Sequence, residues 1–241
     1  MSTASASSAQ DSRAPRSILL RALATDYDGT LAHDGAVPET TIAALQNAKR
    51  AGLRLILVTG RQVPELAKIF PQLAWFDLAV MENGAVLYDP KTGGSELLAG
   101  APPSEFVKRL HEHGLPLQLG QVIVATWEPH ETEVLEAIKE FGLELQVIFN
   151  KGNVMILPSG VNKATGLRKA AEKLGLDVSE VAGVGDAEND HAFLDVCGLS
   201  VAVANALPSI KKQVDMVTRG DHGQGVEELI AWLLAQKDPT L

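Results

Sequence analysis

The stretch Ala24-Thr25-Asp26-Tyr27-Asp28-Gly29-Thr30 decides the fold, and it follows an apolar segment near the start of the chain. The apolar residues, Ile18-Leu19-Leu20 and Ala22-Leu23, predict a buried strand. Alternate side chains of a strand share a face and the glycine permits a sharp turn, so Asp26 and Asp28 are placed to converge on one small ligand. Because Asp, Gly and Thr also form ordinary turns, the pattern needs support from the rest of the chain.

The composition limits the classes of function. A chain of 241 residues with 46% hydrophobic residues is long enough for one large α/β domain or two smaller ones. The formal net charge of -9 disfavours binding to nucleic acid or to an anionic membrane, because both attract basic surfaces. It remains compatible with a small anionic substrate. The single cysteine, Cys197, excludes an intrachain disulfide and favours a cytoplasmic location.

The N-terminal segment and the longest apolar runs indicate neither a signal peptide nor a membrane span. Residues 1–17 are rich in Ser and Ala and lack an apolar segment, so we predict a disordered leader rather than a signal peptide. An over-extended start codon is the alternative. No apolar run approaches the length that crosses a bilayer, and we therefore expect no membrane partner.

Predicted strands and helices alternate from the first strand to Met81, and again from Asn162 to Leu234. This alternation predicts a parallel sheet with helices on its faces. Between the two halves, a hairpin signal at residues 89–94 opens a series of shorter strands and helices. We therefore predict an α/β fold, with a Rossmann-like parallel-sheet core over residues 18–85 and 160–241 and an inserted α+β cap domain over residues 86–159.

Polar residues recur where predicted strands end or where the next helices begin. They are Asp26 with Asp28, Thr59 with Gly60, Lys163, and the run Gly185-Asp186-Ala187-Glu188-Asn189-Asp190. In an open parallel sheet such positions gather along one edge, where ligands bind. Each residue alone is also typical of a turn, a helix cap or a solvated surface, so the joint pattern carries the prediction.

In order and spacing, these residues resemble the four motifs of the haloacid-dehalogenase-like superfamily of phosphatases. The motifs correspond to Asp26-Tyr27-Asp28-Gly29-Thr30, Val58-Thr59-Gly60-Arg61, Lys163 and the run from Gly185 to Asp190. The insertion between the second and third motifs resembles the cap of subclass IIB, the Cof-type or sugar-phosphate phosphatase-like members. The resemblance covers about residues 19–234.

The resemblance implies a division of labour among these residues. Asp26 is the implied nucleophile that forms an aspartyl-phosphate, and Asp28 the general acid and base. Thr59 and Lys163 are implied to position and neutralise the phosphoryl oxygens. A Mg²⁺ ion is implied, because hard oxygen donors without a Cys or His cluster favour magnesium over zinc. Its implied ligands are Asp26, the backbone carbonyl of Asp28, Asp186 and, directly or through water, Asp190.

Substrate contacts are predicted beside the expected cleft, at Gly60, Arg61, Asn83 and Asn189. Polar or aromatic residues of the inserted lobe are further candidates, although for each of them a surface or packing role is the favoured interpretation. These are Trp127, Glu128, His130, Asn150, Lys151 and Asn153.

The leading hypothesis is a cytoplasmic, Mg²⁺-dependent phosphatase of small phosphomonoesters, with a sugar phosphate as the favoured substrate. The acidic Asp28 disfavours a dehalogenase, whose family members lack an acid at that position. A phosphomutase or phosphotransferase with the same nucleophile is one alternative, and a non-catalytic sensor of a phosphorylated ligand is another. The expected partner is a small phosphorylated metabolite, without nucleic acid or membrane, and the chain is expected to be a monomer or a weak homodimer.

Overall fold

Two β-sheets organise the protein, for which a computed structural model describes residues 19–237. The predicted leader at residues 1–17 lies outside the described residues. The strands, in chain order, are β1 (Ala22–Thr25), β2 (Arg54–Val58), β3 (Leu78–Met81), β4 (Val86–Asp89), β5 (Gly94–Leu97), β6 (Gln118–Leu119), β7 (Val124–Trp127), β8 (Leu145–Asn150), β9 (Asn153–Pro158), β10 (Val181–Gly185), β11 (Leu199–Ala202) and β12 (Met216–Val217).

Eight α-helices accompany the strands in the described part of the chain. They are α1 (Glu39–Arg50), α2 (Val63–Ile69), α3 (Ser104–Glu112), α4 (Glu131–Glu140), α5 (Lys163–Lys173), α6 (His191–Leu194), α7 (Pro208–Lys211) and α8 (His222–Lys237). Of these described helices, none has the length and apolar character that a membrane-spanning segment needs.

The larger sheet has the strand order β12-β11-β10-β1-β2-β3-β4-β5. The six strands from β12 to β3 are parallel, and β4 and β5 are antiparallel to their neighbours. The central strand β1 is completely buried, as its apolar sequence predicts. The chain reverses strand order at β1, with β10 on one side and β2 on the other, which is where open parallel sheets bind ligands.

Helix α5 lies close against the larger sheet because a glycine faces it. A Cβ atom on Gly166 would lie 2.3 Å from Val80 Cγ1 and 2.8 Å from the Cα atom of Gly84. The helix begins sharply at Lys163, since the carboxamide of Asn162 accepts hydrogen bonds from the backbone N–H groups of Ala164 and Thr165. These two features direct the first residue of α5 toward the edge of the sheet.

The smaller sheet forms the inserted lobe, with the antiparallel order β6-β7-β9-β8. Its outer face packs on α3 and α4 around a hydrophobic cluster of its own, which includes Phe106, Val134 and Ile156. Its inner face contributes Met155 and Leu157 to the main hydrophobic core. The alternation of buried faces along β9 follows from the two-residue period of a strand.

The predicted start of this lobe at residue 86 is wrong. Strands β4 and β5 pair with β3 and extend the larger sheet, with Val80 opposite Leu87 and Leu87 opposite Glu96. The hairpin predicted at residues 89–94 is present, but an antiparallel hairpin can continue the edge of a parallel sheet. The lobe elements therefore run from α3 to β9, Ser104–Pro158.

Candidate active site

The predicted site residues meet at the carboxyl edge of the larger sheet, beneath the inserted lobe. Asp26 follows β1, Thr59 follows β2 and Asp186 follows β10, which are adjacent parallel strands. A cavity of about 460 Å³ opens between the edge and the lobe. Core residues lining it include Asp26, Asp28, Thr59, Gly60, Arg61 and Asn189, and lobe residues lining it include Gln118, Asn150, Lys151, Asn153 and Met155.

Lys163 joins two buried carboxylates at the floor of the site. Its Nζ lies 2.6 Å from Asp26 Oδ1 and 2.5 Å from Asp190 Oδ1, and its side chain is 1% exposed. Burial alone would lower the pKa of Lys163, but the negative charges of Asp190 and Asp26 outweigh it and raise that pKa. The lysine is therefore a permanent cation beside Asp26.

Asp26 keeps one oxygen available. Its Oδ1 accepts from Lys163, whereas its Oδ2 accepts no hydrogen bond from any residue that the structure describes. Burial raises the pKa of Asp26 well above its usual value, and the charges of Asp190 and Asp186 add to this despite the attraction of Lys163. The carboxylates of Asp26, Asp186 and Asp190 cluster here, and Lys163 pairs with only two of them, so the floor of the site attracts a further positive charge.

Asp28 lines the same cavity and is held by Arg61. The guanidinium binds the carboxylate with two hydrogen bonds, Nε to Oδ2 and Nη2 to Oδ1, both 2.7 Å long. These bonds raise the pKa of Arg61 above its usual value. The ring of Tyr27 lies under the guanidinium, whose Cζ is 5.5 Å from the ring centroid. The pair is only part-buried and can therefore rearrange toward a ligand in the cavity.

Asp186 is held on both oxygens by partners that come from distant parts of the chain. Thr30 Oγ1 donates to its Oδ1 at 2.9 Å, and Lys151 Nζ of the lobe donates to its Oδ2 at 3.0 Å. The same ammonium lies 3.3 Å from the backbone carbonyl oxygen of Asp28. Burial, and then the charge of Asp190, raise the pKa of Asp186. Burial lowers the pKa of Lys151, but Asp186 outweighs it and raises that pKa.

Asp190 organises the loop after β10. Its Oδ2 accepts from the backbone N–H groups of Asp186 and Ala187, at 2.8 Å and 3.0 Å, while Oδ1 accepts from Lys163. Gly185 makes room for it, because a Cβ atom there would lie 2.7 Å from the carboxylate. Asp190 is completely buried, and its position suits orienting Asp186 and Lys163.

Thr59 and Gly60 lie where they were predicted, but Asn83 does not face the cavity. Thr59 is buried, lines the cavity and accepts a hydrogen bond from the backbone N–H of Arg61 at 3.2 Å. Asn83 donates to Met155 Sδ at 2.9 Å and accepts from Asn189 Nδ2 at 3.0 Å. With these partners and 1% exposure, Asn83 supports Asn189, and the cavity wall does not include it. The structure therefore places Asn83 behind Asn189, and the substrate contact at Asn83 stays a prediction.

The donor set fits a hard divalent cation. Carboxylate oxygens of Asp26, Asp186 and Asp190 lie within 4.8 Å of one another, and all three residues are buried. The donors are oxygens without a thiolate or imidazole among them, which is the ligand type that Mg²⁺ prefers. The residues that would hold the ion are Asp26, Asp186 and the Asp28 carbonyl, with Asp190 behind them.

Two residues connect the inserted lobe to the core beside the site, and neither was predicted to do so. Lys151 was a candidate of the lobe for which a surface role was favoured, yet its ammonium reaches the carboxylates of the core. Glu82 was not singled out, and its carboxylate accepts three backbone N–H groups of the lobe, at Gln121, Val122 and Ile123, each at 2.9 Å. The turn signal Asn150-Lys151-Gly152-Asn153 places Lys151 at a hairpin tip, but its partner depends on how the lobe packs.

Comparisons with known proteins identify relatives that match most of the chain. A family model described as haloacid dehalogenase-like hydrolase matches residues 23–127 and 108–230. The phosphoglycolate phosphatase of Methanothermobacter thermautotrophicus is 29% identical over 222 residues, covering 88% of this chain and 97% of the relative. The phosphoglycolate phosphatase of Archaeoglobus fulgidus is 30% identical over 229 residues, covering 88% and 96%.

Solved structures show the same fold. A haloacid dehalogenase-like hydrolase from B. subtilis superposes with a TM-score of 0.74 at 20% identity, covering 88% of this chain and 99% of the other. A protein described as a HAD subclass IIB sugar phosphatase superposes with a TM-score of 0.71 at 19% identity, covering 88% and 98%.

The chain belongs to the haloacid dehalogenase-like hydrolases. The superfamily predicted from the four motifs is confirmed, as is the α/β fold with a Rossmann-like core. Within this family the chain is a hydrolase of the phosphatase class.

Proposed function

We propose that this protein hydrolyses small phosphomonoesters with Mg²⁺, through an aspartyl-phosphate formed on Asp26. The proposal rests on the hydrogen bonding of the Asp26 carboxylate at the floor of the cavity. Lys163 holds one of its oxygens at 2.6 Å, and the other oxygen accepts no hydrogen bond from the described residues. An oriented carboxylate with a free oxygen beside a fixed cation is suited to attack on phosphorus.

The proposed roles of the other residues follow from their positions around Asp26. Lys163 and Thr59 neutralise and position phosphoryl oxygens around Asp26. Asp28, two residues along and on the same cavity, donates a proton to the leaving alkoxide and then accepts one from the attacking water. To do so it gives up part of its bidentate contact with Arg61, and the freed guanidinium turns to the substrate.

Magnesium, when bound by Asp26, Asp186 and the Asp28 carbonyl, supplies positive charge to the phosphoryl group. Asp190 and Thr30 hold Asp186 in position, through backbone N–H groups and a hydroxyl respectively. We keep the cytoplasm as the proposed location, because a chain with one cysteine has no need of an oxidising compartment.

Two leaving-group classes deserve testing. A sugar phosphate is the class predicted from the resemblance to subclass IIB. A small carboxylated ester such as phosphoglycolate is supported by the names of the archaeal relatives. It is also supported by the charge of the cavity wall, where Arg61 and Lys151 could exchange their contacts with Asp28 and Asp186 for a second anionic group of the substrate.

The direct test is phosphate release from an aryl phosphate with Mg²⁺, followed by a panel containing phosphoglycolate and hexose phosphates. We expect Asp26→Asn to lower kcat by at least about 10³-fold, because it removes the nucleophile. The variant should keep the fold, since an amide matches the carboxylate in shape, and circular dichroism checks this. Equal rates for wild type and variant would show that phosphate is released at another site.

Transfer to an acceptor is the alternative that the same nucleophile permits. Hydrolysis in ¹⁸O-labelled water places solvent oxygen in the released phosphate, whereas transfer places the phosphoryl group on an added alcohol. We expect label in free phosphate and no phosphorylated acceptor. Binding of the panel compounds without any product would instead support the sensor hypothesis.

A further inference from the structure

Lys151 stands at an unfavourable backbone position at the tip of the β8–β9 hairpin. The loop has two residues, Lys151 with φ 49° and Gly152 with φ 82°, between the paired residues Asn150 and Asn153. Positive φ at both central positions is typical of a type I′ turn, which favours Asn, Asp or Gly at the first of them. A lysine there strains the backbone, and such strained positions concentrate at functional sites, which points to a role for its side chain.

The strained turn directs the lysine into the core. Its Nζ lies 3.0 Å from Asp186 Oδ2 and 3.3 Å from the backbone carbonyl oxygen of Asp28. Gly29 leaves the space for it, because a Cβ atom there would lie 2.6 Å from Nζ and 2.5 Å from Asp186 Oδ2. The turn itself is anchored to the lobe, where Glu128 N donates to the Gly152 carbonyl at 2.9 Å.

These two oxygens are also ligands in the proposed metal site. An ammonium and a divalent cation repel each other strongly at such a distance, so they cannot share both donors. We propose that Lys151 is an internal cation that holds the lobe on the core by binding Asp186 and the Asp28 carbonyl, and that a divalent metal displaces it. Metal binding and this lobe contact are then mutually exclusive. The inference rests on the proposed function for the identity of the metal ligands.

Hydrogen exchange and calorimetry test this inference without substrate. Amide exchange at residues 150–153 is measured with EDTA and with Mg²⁺, for wild type, Lys151→Gln and a control, Lys139→Gln. Lys139 lies exposed on α4 of the same lobe, so the control removes the same charge away from the site. Mg²⁺ affinity of the three proteins is measured by titration calorimetry.

In wild type and in Lys139→Gln we expect Mg²⁺ to speed exchange at residues 150–153. In Lys151→Gln exchange should be fast already in EDTA, and Mg²⁺ should bind about five- to tenfold more tightly, since no internal cation competes. The inference is overturned if Mg²⁺ leaves exchange unchanged or slows it in wild type. It is also overturned if Lys151→Gln binds Mg²⁺ no more tightly than Lys139→Gln.

The experiments distinguish a failure of this inference from a failure of the proposed phosphatase function. The comparison in EDTA tests the contact of Lys151 with the core independently of any phosphatase activity. Tight Mg²⁺ binding with the expected exchange pattern, but without phosphate release from any compound of the panel, would overturn the proposed function and leave the inference standing. A wild type that binds no Mg²⁺ would overturn the displacement of Lys151 and the metal dependence together.

Discussion

Lys163 occupies the centre of the charge arrangement, between Asp26 and Asp190, with 1% of its side chain exposed. A buried charge without a partner is strongly destabilising, so each of the three groups depends on the other two. The motif order in the sequence identifies all three, because each follows a strand or opens a helix at one edge of the sheet. It does not reveal that Asp190 also binds the backbone N–H groups of Asp186 and Ala187.

Cys197 packs against the main hydrophobic core, and its surroundings predict an unreactive thiol. Burial raises its pKa to about 12, and its Sγ donates to the Phe193 carbonyl at 3.1 Å. We expect alkylation by iodoacetamide at pH 8 to be far slower in the native protein than in urea, because the thiolate is the reactive form. Mass spectrometry measures both rates, and similar rates would contradict the assignment.

The same shift has a consequence for stability. The pKa of the Cys197 thiol is about 12 in the folded protein and 9.0, its ordinary value, in the unfolded chain. The folded state therefore binds this proton more tightly, and the resulting contribution to stability is fully present below pH 9 and is lost as the pH rises toward 12. Substitution of Cys197 by Ala should therefore weaken the dependence of unfolding free energy on pH in this window.

At the scale of elements, the connection between lobe and core depends on Glu82. Its buried carboxylate binds three backbone N–H groups at residues 121–123, and Gly120 permits the approach because a Cβ atom there would lie 2.6 Å from that carboxylate. The residues around Glu82 in the sequence give no sign of a contact with a residue 40 positions away. Local patterns predict elements, whereas such contacts depend on how elements pack.

We expect Glu82→Ala to lower the free energy of unfolding by about 2–4 kcal/mol, since it leaves several buried N–H groups without an acceptor. Glu82→Gln, which retains one acceptor oxygen, should lose less. Urea denaturation measures both values, and hydrogen exchange should show faster exchange at residues 121–123 in the Ala variant. Unfolding of Glu82→Ala at the same urea concentration as wild type would contradict the role of this carboxylate.

Local sequence patterns also determine which helices and strands could be predicted. Helices α1 and α4, with 12 and 10 residues, are long enough to show the helical period of their buried residues in the sequence. The two-residue strands β6 and β12 and the four-residue helix α7 are too short to show a period. The hairpin β4–β5 was predicted, but a turn signal does not specify which sheet its strands join.

At the scale of the molecule, two hydrophobic clusters divide the chain. The main cluster fills the space around the larger sheet, and a second cluster of seven buried residues, including Phe106, Val134 and Ile156, lies between the lobe's sheet and its helices. The interruption of strand–helix alternation predicted two parts. It could not predict that Met155 and Ile123 of the lobe would join the main cluster and close one side of the cavity.

Because the lobe has a hydrophobic cluster of its own, a substitution in that cluster should destabilise the lobe more than the core. We expect Phe106→Ala to destabilise the lobe by about 3–5 kcal/mol, because Phe106 is fully buried and packs edge-on against Phe141. Hydrogen exchange should increase within residues 104–158 while β1 and β10 stay protected. Leu135→Ala is the control, since that side chain is 52% exposed. Equal loss of protection in both parts would show that the chain unfolds as one unit.

The central claim, a covalent intermediate on Asp26, is tested most directly by chemical trapping. Borohydride reduces an acyl phosphate to an alcohol, so an aspartyl-phosphate trapped during turnover is read as homoserine in the peptide that contains it. With Mg²⁺ and a hydrolysed phosphomonoester, the account predicts homoserine at position 26, and none in Asp26→Asn or without substrate. Phosphate release at an undiminished rate with no homoserine at position 26, or with the modification at another carboxylate, would contradict it.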